Sequence, residues 1–535
     1  MKRPALGRTL GGLRPTPSTT RYDLSFGLGA AVLVALVGLT FGKALHFAGP
    51  ILDDDHAVAL NPHIGSLAPA SLRWIVFPDF AHNARFMPLG WLGVDLETRL
   101  TGLNPFRMHG FVLALHAVNS VLLAAVLRRF LLRAGATGGW GGVAAPLAGA
   151  AFYALHPMRA ETLGWVSLGF WHQSVFFALV WAWIRLGVRW RPWAEAAAFL
   201  GCLLSFPVFL GLAPAAAAAE WGLLGWRAAL RRNLALLVLT GACAAMTLYA
   251  TTVTGPVPQP VPFGDQAVQL LAVEGHFVIR SLVPSHLSPF TKPVHDLLRR
   301  SPAEIAGCLA FAALWVGALL PRGRPLLPWI AAFTLLGAPF AWTSRWHDPD
   351  IGNRYATGGH LLLAAAVAYG LWRLPAPRWV GVALVAVGVG TWMVLGAARI
   401  GAWEDDLTLE ADTRRNLPQD DLTYRASVAV VQGEAAICRY LSGDYPGALG
   451  EIDAALRFAP GNPDFTATRA KIEGMRQFVA SPPAPGSPPV AIPRVMEHWS
   501  IAAAALRDGD NTKAQIHLGE VERLDPVFYR RIISP

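Results

Sequence analysis

The sequence predicts an all-α polytopic membrane protein with a helical C-terminal part, and three observations carry that expectation. Hydrophobic residues make up 53% of the 535, charged residues only 15%, and mean hydropathy is +0.39; a typical soluble domain carries about 25% charged residues. Long apolar runs recur between residues 24 and 400, with Arg clusters at alternate turns. Beyond residue 400 the character changes: residues 1–400 carry 31 Lys/Arg against 16 Asp/Glu, whereas residues 401–535 carry 14 against 19. A chain so poor in charge cannot clothe a water-facing surface. That excludes an ordinary soluble enzyme, a disordered chain and a fibrous repeat. The 20 Trp fit anchors at membrane interfaces.

Taken in order, residues 1–23 form a basic segment with Lys2, Arg3, Arg8, Arg14 and Arg21. The run from Leu24 to Gly42 is long enough to span, and without a clear cleavage signal it reads as a retained first helix. Further spans are expected near 109–127, 143–156, 168–186, 194–210, 211–226, 233–251, 302–320, 326–342, 357–372 and 379–398. Arg128/Arg129/Arg133, Arg185/Arg189/Arg191, Arg227/Arg231/Arg232, Arg322/Arg324 and Arg373/Arg378 all fall on the cytoplasmic side if there are eleven spans and a cytoplasmic N-terminus. Segment 264–283 contains Asp265, Glu274, His276 and Arg280, and reads as an amphipathic helix at the outer surface. The odd count places residues 401–535 outside a bacterial inner membrane, in the periplasm. The loop 47–108 is too long for a simple turn and must hold structure of its own; it shares the outer face with 156–167, 252–301 and 343–356.

In the C-terminal part, Tyr440, Gly443, Tyr445, Ala448, Ala455, Leu456 and Pro460 have the small/large spacing of a tetratricopeptide helix pair. A weaker match follows at 502–526, and 481–493 is a Pro-rich linker. So few repeats predict a short cap leaning on the membrane domain, or a docking module for a periplasmic protein or peptide. A nucleic-acid partner is excluded because the Arg residues sit at the ends of apolar runs rather than in one patch. The four Cys form no CxxC or ligand cluster. No phosphate-loop or dinucleotide motif stands in context, so nothing points to a nucleotide, flavin or haem.

The strongest local signal is Asp53-Asp54-Asp55-His56, just beyond the first span. Adjacent carboxylates can bind Mg²⁺ or Mn²⁺ or hold one carboxylate as a base; the structural alternative is a solvated acidic turn. His156 and Glu161 lie where the third span meets the outer face, and Glu161 can simply pair with Arg159. In the loop 347–360, Arg354 at the mouth of a span suits a phosphate, because guanidinium presents a rigid fork of donors; a lipid-headgroup anchor is the alternative. Tyr355 adjoins it, and Arg85, His276, Arg280 and Lys292 are further outer-face candidates. His109 and His116, seven apart, read mainly as packing residues.

Together, Asp53-Asp54-Asp55 with Asn61-Pro62, RFMPLG (85–90), GLNPFRMHGFVLALHAVNSVLL (102–123), ALHPMRAETLGWVS (154–167), GNRY (352–355) and the tail resemble bacterial tetratricopeptide membrane glycosyltransferases. They are similar also to eukaryotic transmembrane and tetratricopeptide repeat O-mannosyltransferases, both of the GT-C superfamily. The resemblance covers most of residues 24–460. It implies a GT-C fold, a polyprenyl-phosphate-type sugar donor and inverting transfer on the outer face. It implies that the family's acidic pair falls on Asp53 and Asp54, with Asp54 as base or metal ligand; that Arg354 faces the leaving phosphate; and that His156 and Glu161 match the LHPxxxE motif. The chain departs from the pattern at several charges. VSERKD becomes Val166-Ser167-Leu168-Gly169-Phe170-Trp171, a charged residue after Ser205 becomes Phe206, the acid before the RY pair becomes Asn353, and Arg-Pro-Leu becomes Met87-Pro88-Leu89 with Arg85 two residues earlier. Two readings follow: a transferase with a different donor or acceptor, or a catalytically inactive scaffold or complex subunit that docks proteins through its C-terminal helices.

Overall fold

A computed structural model describes residues 19–47, 51–52, 54–77, 85–187, 191–254, 263–288, 302–343, 352–416, 422–480 and 492–533. Among them every regular element is helical, and the chain is an all-α polytopic membrane protein. The basic segment 1–18, Asp53, Lys292, His347, Asp348, Asp350 and most of the Pro-rich stretch lie outside the described residues.

Helix α1 (Thr19–Phe41) is followed by the first loop, whose own helices are α2 (Pro69–Val76) and α3 (Pro88–Thr101). Each of those two helices starts on a Pro, whose fixed φ and missing N–H suit a first turn. Helix α4 (Pro105–Arg133) comes next, capped by Asn104, whose side chain accepts from Arg107 N.

Helices α5 (Ala145–Leu155), α6 (Ala160–Gly164) and α7 (Gly169–Arg185) follow, then α8 (Pro192–Ser205), α9 (Leu212–Leu224), α10 (Trp226–Thr254), α11 (Phe263–Leu282), α12 (Pro302–Leu319), α13 (Leu327–Thr343), α14 (Thr357–Arg373) and α15 (Arg378–Ile400). A helix thus occupies each of the eleven expected places. Six described stretches are long and apolar enough to cross a membrane: Asp23–His46, Pro105–Arg133, Pro207–Leu224, Trp226–Val253, Pro302–Leu319 and Arg378–Trp403. A seventh results if the pair Pro157–Gly164 and Val166–Arg185, bent by 104°, counts as one broken span. The eleven-span topology is therefore carried only that far. Helices α5, α8, α13 and α14 have 11, 14, 17 and 17 residues, short for a hydrocarbon core of ~30 Å.

Helix α11 is not among the spans, and its polar side faces inward. Gln269, Glu274, His276 and Arg280 are buried while Leu282 is exposed. Arg280 Nη2 donates to Glu304 Oε1 at 2.6 Å, across the α11–α12 crossing. Gly275 and Gly307 allow that crossing: a Cβ on either would collide with the other helix's backbone.

The C-terminal part comprises α16 (Asp406–Asn416), α17 (Leu422–Leu441), α18 (Tyr445–Phe458), α19 (Pro463–Ala480), α20 (Pro493–Arg507), α21 (Asn511–Leu524) and α22 (Pro526–Ile533). Helices α17 and α18 pack closely, as do α20 and α21. Ala448 and Ala455 are buried in the first pair, and Gly443 makes its turn at φ 86°. These helices lean on the first loop. Leu52 N donates to Asp406 Oδ1 at 2.8 Å, Ser66 Oγ donates to Asp510, and Leu60 packs on the α17–α18 core.

Candidate functional site

The chain between α5 and α7 leaves helical geometry at His156 and again at Trp165, both extended. A break inside an apolar bundle frees backbone carbonyls that need donors. Three histidines supply them. His116 Nε2 donates to Ala154 O at 2.9 Å, His172 Nε2 to Thr162 O at 2.9 Å, and His109 Nδ1 to Leu163 O at 3.4 Å. Asn119 Nδ2 donates to His172 O at 2.8 Å and ties α4 to α7. The reading of His109 and His116 as packing residues thus understates them: their spacing of seven sets both on the α4 face that grips the broken segment.

Asp54 is buried and meets the same segment from the first loop. Its Oδ1 accepts from Ser167 N at 2.6 Å, and its Oδ2 from Val166 N and Ile51 N, each at 3.2 Å. The Asp54 turn is therefore not a solvated acidic turn. Leu52 beside it sits at φ 53°, a left-handed conformation costly for a branched side chain, and the Asp406 bond to its N–H holds it there.

On the other side of the segment, Glu161 receives Arg354. Arg354 Nη1 donates to Glu161 Oε1, and Asn353 N donates to Glu161 Oε2 at 2.9 Å. The Arg354 guanidinium lies over the rings of Trp165 and Tyr355, 5.0 and 4.7 Å from their centroids. This rules against the structural alternative of an Arg159–Glu161 pair. Residues two apart on a helical turn do not face each other. Arg159 instead donates to Thr357 Oγ1 at 2.7 Å and meets His360 Nδ1 at 3.4 Å. His156 is not brought to Asp54. It is fully buried, with Nε2 donating to Ser281 O at 3.2 Å and its ring 4.6 Å from that of His360.

Arg85 joins the Arg354 side through a row of rings. Its guanidinium lies 5.5 Å from the Phe206 centroid; Phe206 meets Trp171 at 4.5 Å, and Trp171 meets Tyr355 at 5.4 Å. Phe170 stacks on Phe206 at 4.9 Å. Phe170, Trp171 and Phe206, at places where the resembled pattern carries charges, thus pack together as an aromatic wall.

One carboxylate escaped the sequence reading. Glu97 on α3 is buried, and Gly169 leaves the room for its Oε2. Burial, and then the charge on Asp54, push the Glu97 carboxyl well above the usual range. Its only sequence signal is an acidic residue inside an otherwise mixed loop helix.

Among the described residues no group of three or more His, Cys, Asp or Glu stands close enough to hold a metal ion. Asp53 and the side chain of Asp55 lie outside the described residues, and Asp54 spends both oxygens on backbone N–H groups. The described residues do not make a Mg²⁺ or Mn²⁺ site.

No family model matches the chain, and no curated protein matches it. Among solved structures, one similar chain is ArnT from Cupriavidus metallidurans, in a crystal structure bound to undecaprenyl phosphate. It is 14% identical, with 94% of this chain and 87% of that chain covered, at a TM-score of 0.34. A likeness at that score carries no argument about this chain.

Proposed function

We propose that the protein is an inverting membrane glycosyltransferase of the GT-C type, which moves a sugar from a polyprenyl-phosphate-type donor to an acceptor hydroxyl on the outer membrane face. One observation carries the reading. Asp54 and Arg354, charged residues the ordered motifs single out, both fasten to the single broken segment 156–168, Arg354 through Glu161 within it. In the transfer, the acceptor oxygen forms a bond to the anomeric carbon while the bond from that carbon to the phosphate oxygen breaks. The electron pair leaves with the phosphate, and the acceptor proton passes to a base. A single displacement inverts the centre.

Asp54 is the proposed carboxylate at the anomeric carbon. Its N–H donors fix the plane of the group, and a fixed negative charge stabilises the oxocarbenium-like transition state while the carboxylate accepts the proton. Arg354 is the proposed phosphate partner, aimed by Glu161 and by the two rings beneath it. Tyr355, Arg85, Trp171 and Phe206 line the donor side, His156 supports it from below, and the tetratricopeptide-like region 401–535 stands on the same outer face. A second metal-dependent route through Asp53 and Asp55 is not needed for this scheme.

The test is transfer from a radiolabelled polyprenyl-phosphate sugar by the full chain in nanodiscs. Asp54→Asn is expected to lower the rate by at least about a hundredfold with the thermal unfolding midpoint kept. Full activity in that variant overturns the role of Asp54. Absence of polyprenyl-phosphate binding by the unaltered protein, together with stable co-purification of a periplasmic protein, favours the scaffold reading instead.

A further inference from the structure

Helix α4 ends in Arg128, Arg129 and Arg133, beside the C-terminal end of α7. Arg128 pairs with Asp23 of α1 at 2.6 Å. The other two find no carboxylate among the described residues. Arg129 Nη1 donates to Trp183 O at 2.6 Å, and Arg133 Nη2 donates to Gly187 O at 2.8 Å. The Arg129 guanidinium lies on the Trp183 ring, 3.4 Å from its centroid. The carboxylates nearby are already spent. Glu195 and Glu220 take Arg185, and Glu220 also takes Arg232 at 3.5 Å. Two guanidinium groups against two carboxylates make that cluster neutral, so it leaves Arg129 and Arg133 uncompensated. These two stand one helical turn apart, and their charges repel. Arg232 repels Arg133 as well. An arginine that only anchors the end of a span keeps its head loose among water and headgroups. Here two like charges are held close in set orientations, a cost that a bound anion offsets.

We propose that this corner of α4, α7 and α10 binds one anionic phospholipid, with its phosphate bridging Arg129 and Arg133. Each carbonyl bond occupies a single N–H of its guanidinium, and the fork that remains matches phosphate oxygens. Leu132 and Trp183 are exposed alongside. They offer apolar surface to the glycerol and the first carbons of the acyl chains, which a free phosphate would leave unused. A basic corner between span ends suits an anionic headgroup; phosphatidylcholine would bring its own cation toward arginines that already repel. The occupant is therefore a phospholipid of net negative charge. This inference goes beyond the transferase reading and does not depend on it, because the corner lies at the end of α7 away from the broken segment.

The test is native mass spectrometry of the full chain released from nanodiscs of phosphatidylglycerol and phosphatidylcholine in equal parts. The unaltered protein is expected to retain phosphatidylglycerol in preference. Arg129→Gln and Arg133→Gln, whose amides can still donate to the carbonyls, each weaken that retention about tenfold, and the double variant loses the preference. Arg129→Lys keeps the charge without the fork and recovers part of the loss. Trp183→Leu weakens retention about threefold. Arg378→Gln removes an equal charge from the start of α15, which Trp140 brings to the same end of the bundle by packing on Gly381, and it leaves retention unchanged. Phosphatidylglycerol added to delipidated protein raises the unfolding midpoint of the unaltered chain and not of the double variant. Glycerophosphoglycerol, the same headgroup without chains, raises neither. Equal retention of the two lipids overturns the proposal, as does an unchanged double variant. Equal loss in Arg378→Gln would mean a general basic belt and overturns it too, and stabilisation by glycerophosphoglycerol would mean a free-phosphate site. If the double variant fails to fold, Arg129→Lys and Trp183→Leu carry the same test.

Discussion

The two ends of α7 carry buried ionic clusters that differ in kind. At its C-terminal end, Arg185 donates to Glu195, to Glu220 Oε2 at 2.9 Å and to Asn233 Oδ1 at 2.8 Å, and Asn233 Nδ2 returns to Glu220 at 3.0 Å. The side-chain atoms of that cluster find partners within it. At the other end, Arg159, Glu161, Asn353, Arg354 and Thr357 bond one another, yet Arg159 Nε and Asn353 Oδ1 are buried with no partner. A closed cluster neutralises itself and clamps helices. An incompletely satisfied one holds potential for a ligand, because every unpaired buried group adds to what binding recovers. On this comparison the proposed chemistry belongs at the end of α7 that meets the broken segment.

The largest expected effect breaks the closed end. Arg185→Leu strands Glu195 and Glu220, and losing one partner of a buried pair costs about 3–5 kcal/mol. Thermal unfolding in detergent should drop accordingly, while donor-lipid binding persists in the molecules that remain folded. Loss of donor binding without loss of stability would erase the distinction. Next comes the open end: Arg354→Gln is expected to slow transfer by about a hundredfold, or roughly 3 kcal/mol, with a smaller loss of stability. Kinetics and unfolding measured on the same preparation decide it.

A third expectation extends the contrast through pH to the C-terminal helices, which meet the first loop beside Asp54. Burial first, and then His517, Arg494 and Arg523, bring His498 down to about 2; burial, and then Lys513, bring His517 down to about 3. Both rings are neutral when folded and take protons near 6.5 when unfolded, so the unfolded state binds more protons once the pH falls below that value. Stability is full above about pH 6.5 and is lost on acidification, by roughly 2 kcal/mol per ring at pH 5. Hydrogen exchange of α20 and α21 at pH 7 and pH 5 should show it, and His498→Asn should flatten the response. The smallest effect is His116→Phe, which removes the donor to Ala154 O and costs about 1–2 kcal/mol, read as a lowered unfolding midpoint.

The helices were legible because apolar runs and Arg-rich ends are local properties, and each expected place holds one. Asp54 was legible because an acidic turn between a span and a long loop is conspicuous. The pairing of charges was not. Arg159 and Glu161 are neighbours in sequence, but a turn sends them to different partners, and Glu161 finds Arg354 across 193 positions. Asn119, His172 and Glu97 are single polar residues in helical stretches. Nothing local separates a residue that grips a broken segment from one that packs. Arg494 and Arg523 come near Asp54 only because the tail folds back.

That fold-back carries a consequence for synthesis. Asp510 holds Ser66 over a separation of 444 residues, and Asp406 holds Leu52 over 354. Contacts so distant form late and slowly. The first loop leaves the ribosome early but acquires these two ties only after the tail has been made. A chain cut short before α20 can insert its helices and keep the Asp406 tie, yet it lacks the Asp510 tie that fastens Ser66.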